Sequence, residues 1–358
     1  MGCLLLDKNY EVVGIVEEFQ SFIWTERFSK TGDFELYLAA SAQAADTYKK
    51  EYYLRDDLSD DLMIIEDHEI ETDPDDARFL KVTGRSLSSV LDRRIIWGQM
   101  NLSGNLQNGI RSILNSQVIS PTDPNRALPF TFKNSTDINI TSIVMEDQQL
   151  YGDNVLEVIE SLCETYDIGF TVKFDDDTKK YVFELVAGID RTYDQTQRPQ
   201  VIFSPDFDNL ESGKYVSSIA TKKTAALVGG EGEGSARKRQ GVSAPGGALT
   251  GLDRREMFVD ASGISSDTDD GTLTTAQYNA LLTQEGKKAL AENKATEVFD
   301  GTISKSSNLT FKTDYFLGDK VQMEDEYGHT SVSRITEYIR STSDTGLEEY
   351  PTLTTISE

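Results

Sequence analysis

Two histidines and two cysteines are the whole stock for metal or nucleophile chemistry in this 358-residue chain: His68, His329, Cys3 and Cys163. Zinc sites draw their ligands in short local spacings, and a His-Glu-x-x-His run puts two imidazoles on one helix face. Neither spacing occurs. His68 sits in Asp67-His68-Glu69 within a strand-like run, and its alternation predicts an exposed face. His329 follows a hairpin turn, so both histidines read as surface polar residues. No Gly-x-Ser-x-Gly elbow and no Cys/His pair suited to a nucleophile is present. The expected catalytic, cofactor and metal sites are therefore none.

The acidic runs are read the same way. Asp267-Thr268-Asp269-Asp270-Gly271 resembles the start of a calcium loop, but no Glu falls at the twelfth position. Asp175-Asp176-Asp177 reads as a hairpin tip, and no carboxylate pair stands out for glycoside hydrolysis. In Gly229-Gly230-Glu231-Gly232-Glu233-Gly234 the third glycine of a dinucleotide fingerprint would fall on Ser235. No Gly-Lys-Ser/Thr follows, so the run reads as a flexible exit from a strand. Arg237-Lys238-Arg239 reads as a solvated loop or a contact for an acidic neighbour.

Sixty-one acidic against 35 basic residues give a formal charge of −26. Phosphate affinity needs neutralising cations, so this balance argues against nonspecific DNA or anionic-membrane binding. Two scattered cysteines fit a reduced assembly compartment. The apolar start Met1–Leu6 ends at Asp7 with no basic flank and reads as a first strand; no membrane span is expected.

The length suggests two to four domains. Alternation predicts strands at Gly2–Leu6, Val12–Val16, Phe19–Phe28, Phe34–Leu38, Leu62–Ile70 and Phe79–Thr83, an antiparallel barrel or sandwich over 1–98. Turns are expected at Asp7-Lys8-Asn9, Thr31-Gly32-Asp33 and Thr72-Asp73-Pro74-Asp75. Ser86 is a candidate cap for a short helix, and Trp24 and Trp97 read as core of this part. Helical spacing follows at Leu106, Ile110, Ile113, Leu114 and at Val155, Ile159, Leu162, Cys163 behind an Asp153 cap. With the hairpin Phe170–Phe174 and Tyr181–Val186 this makes an α+β domain over 99–187. Strands resume at Gln200–Phe203, Tyr215–Ala220 and Ala225–Val228. Thr274 and Gln277 predict a capping box for a helix bearing Tyr278, Leu281 and Leu282.

Beyond it come Val298–Ile303, Leu309–Phe311, Pro351–Ile356 and a closing hairpin. That hairpin runs Lys320–Glu324, a turn at Asp325, Glu326 and Gly328, and a return through Val332, Ile335 and Ile339. Val332 and Ile335 differ in parity, so the return strand needs a bulge or cover on both faces. A hairpin alone buries too little, so its partners must come from elsewhere in the chain, some of them from before residue 230. The expected plan is 188–229 with 301–358 as one discontinuous domain and 230–300 as an insertion in it.

Several strings, taken in order, resemble phage tail hub proteins, the siphophage tail-tip family related to the baseplate hub of contractile tails. They are Phe22-Ile23-Trp24-Thr25-Glu26-Arg27-Phe28 with Gly32-Asp33-Phe34-Glu35-Leu36, and Val82-Thr83-Gly84-Arg85-Ser86-Leu87 with Leu91-Asp92-Arg93-Arg94-Ile95-Ile96. Then come Gly188-Ile189-Asp190-Arg191-Thr192, Val228–Gly234 and Tyr315-Phe316-Leu317-Gly318-Asp319-Lys320-Val321. The resemblance implies a β-rich α+β protein with two antiparallel β-barrel-like hub domains plus two smaller α+β domains, forming a homotrimeric ring. It implies a structural adaptor in the virion tail tip, assembled in the host cytoplasm, through which DNA passes without being held. Implied partners are further copies of itself, a distal tail or tail tube protein, a tape measure protein and a tip or receptor-binding protein. Larger relatives carry a lytic or receptor-binding extension, whereas these strands end near Glu358, so no enzymatic role is expected. The rival readings are a tail-associated cell-wall hydrolase and a glycan-binding module; the latter would show exposed aromatics lining a groove.

Overall fold

The structure is a computed structural model that describes residues 2–72, 78–268, 271–303, 308–324, 330–344 and 346–356. Alternation sets the architecture of its first part. In Asp33–Ala39 the residues Phe34, Leu36 and Leu38 point inward between Asp33, Glu35 and Tyr37. The flanking strands Phe19–Arg27 and Arg78–Ser86 add Phe22, Trp24, Leu80 and Val82 to the same buried layer. Burying each such side chain contributes on the order of 2 kcal/mol.

Among the described residues one sheet holds thirteen strands. Its path runs Leu210–Ser218, Thr296–Ile303, Gly346–Thr355, Thr330–Ser343, Phe19–Arg27, Asp33–Ala39, Arg78–Ser86, Leu62–Thr72, Tyr53–Asp56, Cys3–Leu6, Val12–Ile15. Lys320–Glu324 branches from Thr330–Ser343 and carries Ile202–Phe203 as a parallel neighbour. The resemblance implies two barrels. Neither closes among the described strands: Val12–Ile15 and Leu210–Ser218 lie at the two ends of one path, each with a single partner.

The strand Thr330–Ser343 joins the two halves. Its first part, Thr330–Arg334, pairs with Lys320–Glu324, and its second, Glu337–Ser343, pairs with Phe19–Arg27. Between them a bulge at Thr336 inserts one residue against Gly346–Thr355, where Ile335 faces Leu353 and Glu337 faces Thr352. An extra residue reverses parity. Ser333 and Ile335 are buried before it, Tyr338 and Arg340 after it, while Val332 is only half-buried. The bulge lies beyond both Val332 and Ile335, so their parity conflict is met instead by cover on both faces: Ser333, Arg334 and Ile335 are buried in succession, and the bulge shifts the buried parity only from Ile335 to Tyr338. It also brings the Arg340 guanidinium 6.0 Å from the Trp24 ring centroid.

Helices Leu106–Leu114 and Val155–Thr165 form with the hairpin Gly169–Asp175/Lys180–Val186 the expected α+β layer. Ile110, Ile159 and Phe183 share a core with Leu6, Leu62 and Ile64 of the large sheet, so this layer packs against that sheet. The cap of the second helix is Asn154, not the Asp153 that the sequence predicts; its Oδ1 accepts from the Leu156 and Glu157 amides at 2.9 and 3.2 Å. Ser86 gives no side-chain cap to the 3-10 turn Leu87–Arg93; its Oγ accepts from the Gly32 amide at 3.2 Å. The helix Ala42–Thr47 and the strand Tyr53–Asp56 had no clear signal in the sequence.

One expectation of sheet membership needs correction. Leu210–Ser218 does pair with Thr296–Ile303 in the large sheet. Ala225–Gly229, expected beside it, lies elsewhere, between Arg239–Ser243 and Glu256–Asp260 in a three-stranded sheet. The helix Thr275–Glu292, opened by the expected Thr274/Gln277 capping box, covers one face of that sheet with Tyr278 and Leu282. Leu309–Phe311 makes an isolated bridge, Phe311 to Tyr315, rather than a strand. The turn residues Asp73–Asp75, Asp269–Asp270, and Asp325, Glu326, Gly328 and His329 lie outside the described residues.

Candidate functional site

The charged residues gathered where the two halves of the sheet meet were not singled out by spacing. Arg340 on the joining strand, Glu26 on Phe19–Arg27 and Asp56 at the end of Tyr53–Asp56 are all buried. Arg340 Nη2 lies 2.8 Å from Asp56 Oδ2 and 3.9 Å from Glu26 Oε1. Lys312 Nζ reaches Glu26 Oε2 at 2.9 Å and the Leu58 carbonyl at 3.0 Å. Asp61 completes the group: burial first, and then the Glu26 carboxylate, push its pKa up to about 7. Low polarity makes each unpaired charge costly, so this cluster holds its segments together by what breaking it would leave exposed to apolar surroundings.

A second joint uses two of the short strings quoted above. Asp319, expected as turn chemistry, is buried; its Oδ1 accepts from the Ile189 amide at 2.8 Å and its Oδ2 from Arg191 Nε at 2.6 Å. A Cβ on Gly188 would stand 1.5 Å from the Gly318 carbonyl oxygen, so the two strings touch backbone to backbone. A third joint links Arg27 to Glu337 at 2.6 Å and to Asp33 at 2.5 Å, tying the Thr31-Gly32-Asp33 turn to the joining strand. Arg334 pairs with Asp167 and the Gly318 carbonyl and lies 5.3 Å from the Phe28 ring centroid. These ion pairs orient backbone; none sets a base beside a nucleophile.

The residues weighed in the sequence fall as follows. Cys3 and Cys163 are buried, and burial raises both thiols. His68 is half-buried rather than exposed, with Nε2 unpaired among the described residues. Asp175 forms the expected hairpin tip, its carboxylate accepting from Thr178 Oγ1 at 2.7 Å. Asp267 pairs with the Thr272 hydroxyl at 2.8 Å. Among the described residues no group of three His, Cys, Asp or Glu is placed to hold a metal ion. No helix among them is long and apolar enough to cross a membrane.

The glycine run is not a flexible exit. A Cβ on Gly230 would lie 2.4 Å from the Tyr278 hydroxyl, and one on Gly229 2.7 Å from Arg237 Nε. Arg237 donates to the Gly230 and Gly229 carbonyls at 3.1 and 3.0 Å and pairs with Asp260. Lys238 pairs with Glu231 at 2.5 Å, and Arg239 donates to the Gly234 carbonyl at 3.0 Å. The basic triplet therefore closes its own loop. Trp24 is core as expected, but Trp97 is 69% exposed.

Comparison with known proteins matches residues 3–353 to the family described as Siphovirus ReqiPepy6 Gp37-like protein. No curated protein matches the chain. Similar solved structures include the 43 kDa tail protein of prophage MuSo2 from Shewanella oneidensis, at 14% identity and a TM-score of 0.58, covering 99% of this chain and 98% of that one. The tail protein from Neisseria meningitidis MC58 is 12% identical with a TM-score of 0.54, covering 99% and 97%. Prophage tail protein gp18 from Listeria monocytogenes EGD-e is 14% identical with a TM-score of 0.52, covering 99% and 94%. At these identities the likeness is one of fold.

Proposed function

We propose that this chain, which belongs to the Siphovirus ReqiPepy6 Gp37-like protein family, is a structural hub of the phage tail tip. Three copies form a ring that joins the tail tube or distal-tail ring to the tip and leaves a passage for DNA. The observation that carries this reading is the large sheet, open at both ends among the described residues. Its terminal strand Val12–Ile15 exposes Val12, Val13 and Ile15 at 58%, 53% and 57%. An exposed apolar edge invites strand pairing with another chain unless something covers it. Pairing that edge with the opposite end, Leu210–Ser218, of the next copy is a head-to-tail contact, and such contacts close into a ring where the rotation between copies is one third of a turn.

The net charge of −26 supports the conduit, because a wall rich in carboxylates does not retain DNA. The inner wall of the ring is expected to carry more Asp and Glu than Lys and Arg. The same proposal divides the chain into four units: 1–98, 99–187, a discontinuous unit of the closing strands, and an insertion. The pairing of Leu210–Ser218 with Thr296–Ile303 favours starting the insertion after Ser218 rather than at Gly230. Its partners are further copies of itself, a distal tail or tube protein, and proteins of the tip, and its role is structural rather than catalytic. Val13→Lys with Ile15→Lys tests the edge. The account expects loss of assembly in reconstituted tips with unchanged monomer folding; assembly as in the wild type would contradict it.

A further inference from the structure

Three loops meet at one end of the α+β layer, and they carry an arrangement that the ring does not use. The segment after the 3-10 turn runs beside the segment before helix Val155–Thr165. The Ile96 amide donates to the Asp153 carbonyl at 2.8 Å and the Gly152 amide to the Ile96 carbonyl at 2.9 Å. This brings together Trp97 and Tyr151, 69% and 73% exposed, with Ile95 at their side. Arg126, from the third loop, places its guanidinium 4.9 Å from the Trp97 ring centroid and donates to the Ile95 carbonyl at 2.8 Å. Arg94 donates to the Arg126 carbonyl at 2.7 Å and to the Arg93 carbonyl at 2.8 Å.

Burial first, and then the charges of Arg126 and Arg93, lower the Arg94 pKa, so both cations are within electrostatic reach of Arg94, and among the described residues no carboxylate lies within ion-pairing distance of any of the three. That is notable in a chain with 61 acidic residues, because carboxylates are near and turned elsewhere. Asp92 holds Arg85 at 3.1 Å and Asn154 at 2.9 Å. Asp153 accepts from the Tyr151 amide at 2.8 Å, Asp123 from the Asn125 amide at 3.0 Å, and Glu51 is paired with Lys8. Arg94 and Arg126 are meanwhile held by backbone carbonyls, which fixes them without neutralising them.

We propose that this cluster, Arg93, Arg94, Arg126, Trp97 and Tyr151, is the docking site for a carboxylate-rich segment of a partner protein. Guanidinium forks match carboxylates in a bidentate geometry, and Trp, Tyr and Arg are the residues that anchor protein interfaces. Nucleic acid fits less well, since three cations are a small footprint against the field of a strongly acidic chain. A neutral glycan would use the aromatic rings but would leave the three charges unmatched.

Trp97 supplies the readout, because the other tryptophan, Trp24, is buried. The full chain is titrated with a short Trp-free peptide rich in Asp and Glu, and in parallel with a chito-oligosaccharide and a single-stranded DNA oligonucleotide. The proposal expects a saturable change of Trp emission with the peptide, weakening about tenfold between about 50 and about 250 mM salt. Arg93→Glu with Arg126→Glu should reduce the affinity at least about tenfold. Arg93→Glu alone tests the site without disturbing the bonds of Arg126, and should weaken binding with an unchanged melting curve. No saturable response, an equal response in the Arg93→Glu variant, or a response to the sugar or the DNA alone would overturn it.

Discussion

Two regions of this molecule are built on arginine, and they use it in opposite ways. At the joint of the large sheet, Arg340 meets Asp56 and Glu26, residues some 300 positions away along the chain, and all three are buried. In the outlying three-stranded sheet, Arg237, Lys238 and Arg239 bind carbonyls and carboxylates, most of them within about ten positions, at the surface. The first arrangement fixes which halves of the chain lie together. The second fixes the shape of one loop. Buried pairs are strong constraints because breaking one strands a charge, while exposed pairs trade protein contacts for water at little net cost.

Removing one partner in each region should break the symmetry between them. Arg340→Ala leaves Asp56 and Glu26 buried without their cation and should cost roughly 3–5 kcal/mol in urea unfolding. Arg237→Ala, which loses two carbonyl contacts and one exposed pair, should cost about 1 kcal/mol. Equal losses would mean that the joint is not the structural centre of the fold.

The next effect probes how closely the strands of the first half approach each other. A Cβ on Gly84 would stand 1.7 Å from the Ile64 carbonyl oxygen, and that oxygen is backbone. Gly84→Ala should therefore cost about 2–3 kcal/mol. Gly241→Ala in the outlying sheet, where a Cβ meets nothing within 4 Å, should be close to neutral.

pH separates the two regions further. Asp61 at the joint has its pKa raised to about 7, so the folded state binds its proton more tightly than the unfolded state. Its favourable contribution is present below the unfolded value near 4 and is lost as pH rises to about 7. Asp61→Asn should therefore stabilise the protein at pH 8, by roughly 1–2 kcal/mol, and have little effect at pH 4. Glu231, in the outlying unit, runs the other way. The Lys238 ammonium first, and then the Ser266 hydroxyl and amide, lower its pKa to about 2. Its contribution is present above the unfolded value and is lost as pH falls toward 2. Glu231→Gln should lower stability by less than about 1 kcal/mol at pH 7 and by nothing measurable near pH 2. A thermal melt series across pH reads both variants.

Local signals in the sequence were legible wherever chemistry was local. The Thr274/Gln277 capping box and the alternation of Phe34, Leu36 and Leu38 each have their cause within a few residues. What could not be read was pairing at a distance. Nothing near Ala225–Gly229 indicates that its neighbours are Arg239–Ser243 and Glu256–Asp260 rather than the closing strands. Buried charges hid for the same reason: Asp319 looks like any turn aspartate until Arg191 and the Ile189 amide converge on it. Trp97 misled because size alone suggests burial, while its place beside Gly98 and the Asp153 loop turns it outward.

The central claim is the threefold hub, and its most direct test is the copy number and symmetry of this chain in a reconstituted tail tip, read by electron cryo-microscopy. The account predicts three copies of the 39.9 kDa chain about one axis, with Val12–Ile15 of each beside Leu210–Ser218 of the next and an acidic inner wall. A single copy, a different symmetry, or both sheet edges facing solvent would contradict it.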